Sequence, residues 1–162
     1  MDKLWAPWRM QFIREARCGS SKDACVFCSV RDQQDDRAAL ILKRGRHAYV
    51  VLNKFPYNNG HLMVVPNRHV AELHELTTEE HTEMMQLLAS SVTILRDKIN
   101  AEGINCGINL GKVAGAGILD HVHIHAVPRW TGDNNFLPIF ADTRVLPEYI
   151  DETYLKLVGG FQ

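Results

Sequence analysis

Three histidines at alternating positions are the residues of this sequence best suited to chemistry. His121, His123 and His125 stand in the segment His-Val-His-Ile-His-Ala-Val, with apolar residues between them. A neutral imidazole offers a lone pair for nucleophilic attack or metal binding, and an N–H for hydrogen bonding. Because side chains alternate between the faces of a strand, the spacing predicts the histidines on one face and the apolar residues on the other, toward a core.

Strand geometry limits how many of these histidines can bind one metal ion. Neighbours on one face of a strand lie about 6.5 to 7 Å apart and the outer two about 13 Å apart, whereas a zinc–nitrogen bond is about 2 Å long. Two adjacent histidines can share an ion, but three on an unbroken strand cannot. The segment therefore predicts different roles for its three imidazoles.

A second candidate site is the cysteine pair in the segment Cys25-Val-Phe-Cys28. Four cysteines in a chain of 162 residues are too few for a disulfide scaffold, so the pair indicates metal binding or redox chemistry. The sequence around the pair has no thioredoxin-like βαβ pattern, which weakens the redox interpretation. Two reduced, partly buried thiols are the remaining structural alternative.

The elements that must position these residues follow an α+β pattern. Runs of β-forming residues predict strands over 39–43, 47–53, 61–65, 106–110 and 122–127, the first two joined by a hairpin. Thr77 and Glu80 form a capping-box pattern that begins a helix running to about Asn100, with an apolar stripe on one face. An antiparallel sheet with this long helix packed on one face would bury both apolar surfaces.

Composition excludes several classes of protein. With 162 residues, 46% of them hydrophobic, the chain suits one ordinary domain over residues 1–162. A formal net charge of −1 excludes a global basic field for nucleic acid, so an anionic ligand needs a local site. No run approaches the roughly 18 apolar residues of a membrane span, and residues 1–17 lack the apolar core of a signal peptide. We therefore predict a cytoplasmic protein.

These motifs resemble the signature of the histidine triad superfamily of nucleotidyl hydrolases and transferases. The triad matches over 121–127, and the similarity extends through 52–66, 109–111 and 128–133, so that about residues 4–157 are covered. Residues 5–9, with Trp5 and Trp8, and residues 130–136 are similar to the bacterial branch that contains diadenosine tetraphosphate phosphorylases. The resemblance implies an α+β, HIT-like fold with a C-terminal helix, and a homodimer.

The same resemblance implies a nucleotidyl-transfer enzyme. In the family the middle histidine, here His123, attacks the α-phosphorus of a nucleotide and forms a covalent nucleotidyl-histidine. His125 is then placed to hold the phosphate or to donate a proton to the leaving oxygen. The implied substrates are dinucleoside polyphosphates, with inorganic phosphate as the preferred acceptor, so that diadenosine tetraphosphate would give ATP and ADP.

Four alternatives to this activity stay open. The acceptor could be water, which would make the protein a hydrolase, or the substrate could be a nucleoside 5′-phosphoramidate. A nucleotide-binding or sensing module would turn over substrate only incidentally. A zinc-dependent hydrolase would instead hold its metal at the triad.

The resemblance also implies the substrate-binding residues. Asn53 matches a contact to the ribose hydroxyls, and His61 matches a histidine beside the α-phosphate. The amide of Asn109 and the backbone N–H groups between Gly111 and Gly117 can donate to phosphoryl oxygens. Trp130 could flank a second nucleotide, although surface packing explains it equally well.

The chain departs from many relatives just before the triad. Residues 117–120 are Gly-Ile-Leu-Asp, without the Ser, Thr or Gln that many relatives carry there. Recognition of the leaving group must therefore rest on other groups, such as the backbone or Lys112.

Zinc-bearing members of the superfamily imply a role for the cysteine pair. The corresponding ligand set in this chain is Cys25, Cys28, His69 and His121, centred on an N-terminal lobe of about residues 18–37. A closed site with four protein ligands is structural, since it leaves no open position for substrate. The resemblance thus gives the three histidines different tasks: His121 binds metal, His123 reacts and His125 holds phosphate.

Overall fold

The computed structural model describes residues 25–133 and 146–161. The predictions for Trp5, Trp8 and residues 134–136 lie outside the described residues, as does the 18–24 part of the predicted N-terminal lobe.

The described residues form five strands and three α-helices in an α+β arrangement. In chain order the elements are α1 (Val26–Arg31), β1 (Ile41–Arg44), β2 (Ala48–Leu52), β3 (Leu62–Pro66), α2 (Thr78–Ile99), β4 (Gly103–Ile108), β5 (Ile124–Arg129) and α3 (Ile150–Val158). Short 3-10 turns lie at Leu73–Glu75 and Lys112–Ala114. None of the helices in this part of the chain combines the length and apolar character that crossing a bilayer requires.

The strands form one antiparallel sheet in the order β1-β2-β3-β5-β4. In its middle, Met63 of β3 pairs with His125 of β5, and Gly107 of β4 pairs with His125 from the other side. The predicted fold class, an antiparallel sheet with one long helix and a C-terminal helix, is confirmed. The predicted hairpin between the first two strands is confirmed as well.

Alternation along the strands gives the sheet two different faces. Val50, Val64 and Ile124 belong to the larger core cluster, which α2 and α3 cover. Tyr49, Val51 and their neighbours on the opposite face form a smaller cluster with α1. We call this second surface the site face, because the triad histidines lie on it.

The long helix begins and ends where the sequence predicts. The Thr77 side chain accepts the backbone N–H of Glu80 at 3.2 Å, and the Glu80 carboxylate accepts the backbone N–H of Thr77 at 2.8 Å. Asn100 ends the helix with a left-handed φ of 52°. The predicted apolar stripe buries Met84, Leu88, Ile94 and Leu95, and Ser91 is buried with them.

The fourth and fifth predicted strands are displaced from their observed positions. β5 begins at Ile124 rather than at residue 122, and β4 covers residues 103–108 rather than 106–110. Val122 does not enter the ladder because its N–H donates to the carbonyl of Val70 at 2.7 Å. The segment before β5 nevertheless keeps its alternation, since Val122 lies in the larger core while His121 and His123 contact Phe27 of the smaller cluster.

Gly60 fixes how the loop between β2 and β3 enters the sheet. Its φ of +73° is unfavourable for other residues, and a Cβ built there would lie 2.6 Å from Cδ1 of Ile99 on α2. The absence of a side chain therefore lets the loop approach α2 closely. This contact sets the position of the next residue, His61.

Candidate functional site

Four histidines lie on the site face near the start of β5, with a pair of cysteines and a fifth histidine, His69, beside them. His61 precedes β3 and His125 lies in β5, which is the neighbour of β3 in the sheet. His121 and His123 precede β5 in the extended segment described above. Three of the four, His61, His121 and His123, are almost fully buried, with at most 5% of their surface exposed.

His123 is held so that one ring nitrogen keeps a lone pair. Its Nδ1 lies 2.9 Å from the carbonyl oxygen of His121. Since a carbonyl can only accept, Nδ1 carries the proton and Nε2 is left with the lone pair of a neutral imidazole. Burial lowers the pKa of His123, which favours this neutral and nucleophilic form. A backbone carbonyl thus fixes the tautomer of His123.

His61 and His125 form a hydrogen-bonded pair whose proton positions follow from the backbone. The N–H of Tyr57 donates to Nδ1 of His61 at 3.1 Å, so the ring proton of a neutral His61 lies on Nε2. That Nε2 lies 3.0 Å from Nδ1 of His125 and donates to it. His125 therefore carries its own proton on Nε2. The pair presents an N–H donor beside the nucleophile, whose ring centroid is 4.7 Å away.

Cys25, Cys28, His69 and His121 form a compact ligand cluster. One donor atom from each lies within 4.8 Å of the others. Sγ of Cys25 is 3.4 Å from Nδ1 of His121, and Sγ of Cys28 is 3.5 Å from Nδ1 of His69. Nε2 of His121 donates to the carbonyl of Pro66 at 2.9 Å, so its Nδ1 keeps the lone pair that a metal ligand needs. The donor set of two thiols and two imidazoles fits a metal ion, and these side chains could hold one.

Phe27 connects the cysteine pair to the nucleophile. It lies between the two cysteines in α1, and its ring is 4.7 Å from the ring of His123 and 5.5 Å from that of His121. Its carbonyl accepts the hydroxyl of the buried Tyr49 at 2.8 Å. Sequence reasoning missed this contact. The available signal was the position of Phe27 between Cys25 and Cys28, because any contact that holds both cysteines also holds the residue between them.

The structure brings the predicted Asn53 and Asn109 to the same face. Nδ2 of Asn53 lies 3.3 Å from Nδ1 of His61, and its Oδ1 accepts the N–H of Phe55 at 2.9 Å. Asn109 directly follows β4, where Gly107 pairs with His125, so continuing that register places Asn109 beside His123. Asn53 contacts His61 beside β3, and Asn109 follows the strand on the other side of β5.

The predicted glycine loop connects β4 to the triad at this end of the sheet. Gly111 has a φ of +78°, and the N–H of Ala116 donates to its carbonyl at 3.3 Å. Gly117 is not among the positive-φ residues of the described chain. Ile118 packs on the smaller cluster, which brings the loop back to the site face. The loop therefore borders the histidines from Asn109 to His121.

Trp130 is not brought together with the histidines within one chain. It packs on the larger core, on the face that α2 covers, and its indole N–H donates to the carbonyl of Asn100 at 2.8 Å. It lies five residues beyond His125 on an extended strand, about 17 Å away at 3.3 Å per residue. The guanidinium of the neighbouring Arg129 is bound to the carboxylate of Asp133.

A pH dependence of stability follows from the burial of His125. Burial, and then the nearby His123, lower its pKa to about 4, whereas an unfolded histidine has a pKa of about 6.5. In acid the unfolded chain binds a proton that the folded residue does not, so stability decreases as the pH falls from about 6.5 toward about 4. Urea titrations at about pH 7 and about pH 5 measure this decrease in the free energy of unfolding. We expect the decrease to be smaller in His125→Gln than in the wild type.

The matched control for this prediction is His81→Gln, at an exposed histidine of α2. This variant should keep the pH dependence of the wild type. Identical pH dependence in the wild type and in His125→Gln would contradict the assignment of the acid sensitivity to His125.

Comparison with known sequences gives consistent matches. Residues 34–132 match the sequence model of the family described as HIT domain. The chain is 39% identical over 158 residues to a protein of Mycobacterium tuberculosis named AP-4-A phosphorylase, an alignment that covers 94% of this chain and 80% of that protein. It is 34% identical over 82 residues to a bis(5′-adenosyl)-triphosphatase of Dictyostelium discoideum, covering 51% of this chain and 54% of that protein.

A comparison with solved structures gives a similar fold. A zinc-bound histidine triad family protein from Mycobacterium smegmatis superposes with a TM-score of 0.69 at 26% sequence identity. The superposition covers 88% of this chain and 95% of that one.

Proposed function

The chain belongs to the HIT domain family, and from that premise we propose that it transfers a nucleotidyl group through a covalent bond to His123. The observation that carries the proposal is the hydrogen bond from Nδ1 of His123 to the carbonyl of His121. This bond leaves the lone pair on Nε2 and orients the ring, so no separate base is needed to activate the nucleophile.

In the first step, the Nε2 lone pair of His123 attacks the α-phosphorus of the nucleotide. A P–N bond forms, the bond from phosphorus to the bridging oxygen breaks, and the rest of the polyphosphate leaves. His125 carries its proton on Nε2, and it stabilises the phosphate oxygens or donates that proton to the leaving oxygen. Asn53 holds the ribose, and Asn109 donates its amide N–H groups to a phosphoryl oxygen.

In the second step, an oxygen of the acceptor attacks the same phosphorus. The P–N bond breaks, its electrons return to Nε2 of His123, and the proton lost by His125 is regained from the acceptor. With diadenosine tetraphosphate and phosphate, the first step releases ATP and the second releases ADP. The 39% identity to a protein named AP-4-A phosphorylase supports phosphate as the acceptor.

We propose zinc as the ion of the Cys25, Cys28, His69 and His121 cluster. Two thiolates and two imidazoles are a typical structural zinc set, and a solved relative is described as zinc-bound. With four protein ligands the ion would tie α1 to the segment before β5 and would take no part in the reaction. The homodimer and the cytoplasmic location stay predictions from the sequence.

Product analysis tests the proposed reaction directly. The purified protein is incubated with diadenosine tetraphosphate, with and without inorganic phosphate, and the nucleotides are separated by chromatography. We expect ATP and ADP, formed only when phosphate is present. ATP and AMP in buffer alone would instead identify a hydrolase, and no products under either condition would overturn the proposal of turnover.

A further inference from the structure

Asp133 carries a carboxylate with an unusually complete set of donors for a residue in a surface turn. Its side chain is 7% exposed, and it accepts from Nε and Nη2 of Arg129 at 2.6 and 2.9 Å. The N–H of Trp130 and Nδ2 of Asn58 also donate to it, at 3.1 and 2.8 Å. The hydrogen bonds from Arg129, more than any other contact, lower the pKa of Asp133 to about 2. The carboxylate is therefore a fixed negative charge in the folded protein.

Arg129 extends this arrangement across the sheet. Its Nη1 donates to the side-chain oxygen of Asn105 on β4 at 3.0 Å. Donors from the end of β5 and from the loop between β2 and β3 thus meet at one carboxylate, and Arg129 connects that carboxylate to β4. We call Asn58, Arg129 and Asp133 the clasp.

Asn58 connects the clasp to the histidine pair. Its Nδ2 donates to Asp133 and also to the carbonyl of Pro128 at 3.1 Å, so two acceptors at the end of β5 hold this side chain. Its own carbonyl accepts the backbone N–H of His61 at 3.1 Å. The residue before it, Tyr57, donates the shorter of the two hydrogen bonds to Nδ1 of His61, at 3.1 Å against 3.3 Å for Nδ2 of Asn53, and these bonds keep the His61 proton on Nε2. The clasp therefore holds the loop between β2 and β3 at the point where this loop sets which ring nitrogen of His61 carries the proton.

We propose that Asp133 is a positioning residue for the nucleotidyl-transfer reaction and acts through Asn58 on the His61–His125 pair. It donates nothing to the substrate and touches neither histidine. It holds the loop so that the N–H of Tyr57 stays on Nδ1 of His61, which keeps the proton of His125 on Nε2, where the reaction uses it. The inference rests on the proposed function for its catalytic consequence, but the proton positions exist in the protein without substrate.

The alternative explanation is that Asp133 only closes the turn that follows β5. A neighbouring contact closes the same turn without reaching the loop, because the Glu102 carboxylate accepts the N–H and the hydroxyl of Thr131 at 2.9 and 2.6 Å. Glu102→Gln is therefore the matched control. It weakens the turn and leaves the contact between Asp133 and Asn58 in place.

The kinetic test compares Asp133→Asn, Asn58→Ala, the double variant and the control. An amide at position 133 places N–H groups against the donors of Arg129 or Asn58, so the loop loses its fixed position. We expect kcat to fall by about 10-fold to 100-fold, the scale of a small misplacement of catalytic groups, while KM changes much less. Because both single variants break one connection, the double variant should lose no more than the worse of them. Glu102→Gln should keep the kcat of the wild type.

A second readout does not depend on turnover. Nitrogen NMR of the histidine rings in the substrate-free protein reports which nitrogen of His61 carries the proton. In the wild type and in Glu102→Gln we expect the proton on Nε2 only, and in Asp133→Asn and Asn58→Ala a mixture of both positions.

The two readouts separate the failure of this inference from the failure of the proposed function. Unchanged ring signals and an unchanged kcat in both clasp variants would overturn the inference. An equal loss of kcat in Glu102→Gln, or additive losses of kcat in the double variant, would overturn it as well. If the wild type turns over no dinucleotide, the proposed function fails. The ring signals of the clasp variants then still decide whether Asp133 fixes the proton of His61.

Discussion

Replacement of His123 by alanine is expected to abolish nucleotidyl transfer while the protein stays folded. The variant removes the nucleophile itself, and removal of a nucleophile from a covalent mechanism typically costs on the order of 10⁴-fold or more in turnover. His123 is 5% exposed and packs against Phe27, so a small loss of stability is also expected. Turnover of diadenosine tetraphosphate and the thermal midpoint should be measured on the same preparation.

The covalent intermediate gives this prediction a sharper form. When the acceptor is withheld, the wild type should retain one labelled nucleotidyl group per chain after gel filtration, and His123→Ala should retain none. His81→Ala, at an exposed position of α2, is the matched histidine control and should behave as the wild type. Full turnover by His123→Ala would disprove the covalent mechanism and would leave a binding module or another nucleophile to consider.

Removal of the metal or of one cysteine ligand is expected to unfold the part of the domain that holds the nucleophile. Cys28→Ser deletes one donor of the four-residue cluster and leaves the half-buried His69 and the buried His121 without their thiol partner. Metal binding contributes to folding because the unfolded chain has no preformed site. A loss of about 3 kcal/mol would lower the thermal midpoint by about 10 °C in a chain of this length.

The control for the metal prediction is Cys106→Ser, since Cys106 is an exposed thiol on β4 away from the cluster. It should keep the stability, the metal content and the activity of the wild type. A chelator should act on the wild type as Cys28→Ser does, with activity lost in step with the fold. Loss of activity from a protein that stays fully folded would contradict the structural assignment and support a zinc-dependent hydrolase. If metal analysis finds no zinc in carefully purified protein, the proposed zinc site is wrong.

Much of the fold follows from local patterns that a single sequence displays. The capping box of Thr77 and Glu80 defines the start of α2, because both of its hydrogen bonds are between residues three apart. The alternation of histidines and apolar residues predicts the two faces of the segment 121–126. That prediction survives even though β5 begins only at Ile124, since an extended segment alternates its side chains whether or not it is paired.

The parts of the site that escape sequence reasoning depend on backbone atoms and on distant partners. The shorter of the two hydrogen bonds to Nδ1 of His61 comes from the N–H of Tyr57, and a backbone group carries no residue-type signal. The role of Asp133 is hidden for a different reason, because its partner Asn58 is 75 positions away. The face of Trp130, by contrast, was available from the sequence, because side chains an odd number of residues apart on an extended strand lie on opposite faces, and Trp130 is five residues beyond His125.

His121 contributes to the metal cluster and to the nucleophile through two different groups. Its ring points to the cysteines, but the group that serves His123 is its main-chain carbonyl, which every amino acid possesses. The bond from its ring to Pro66 anchors that carbonyl independently of any ion. A descendant lineage that lost both cysteines would thus still orient its nucleophile, provided that other packing replaced the missing cross-link. Metal dependence and catalysis can therefore diverge during evolution, although the two sites share one residue.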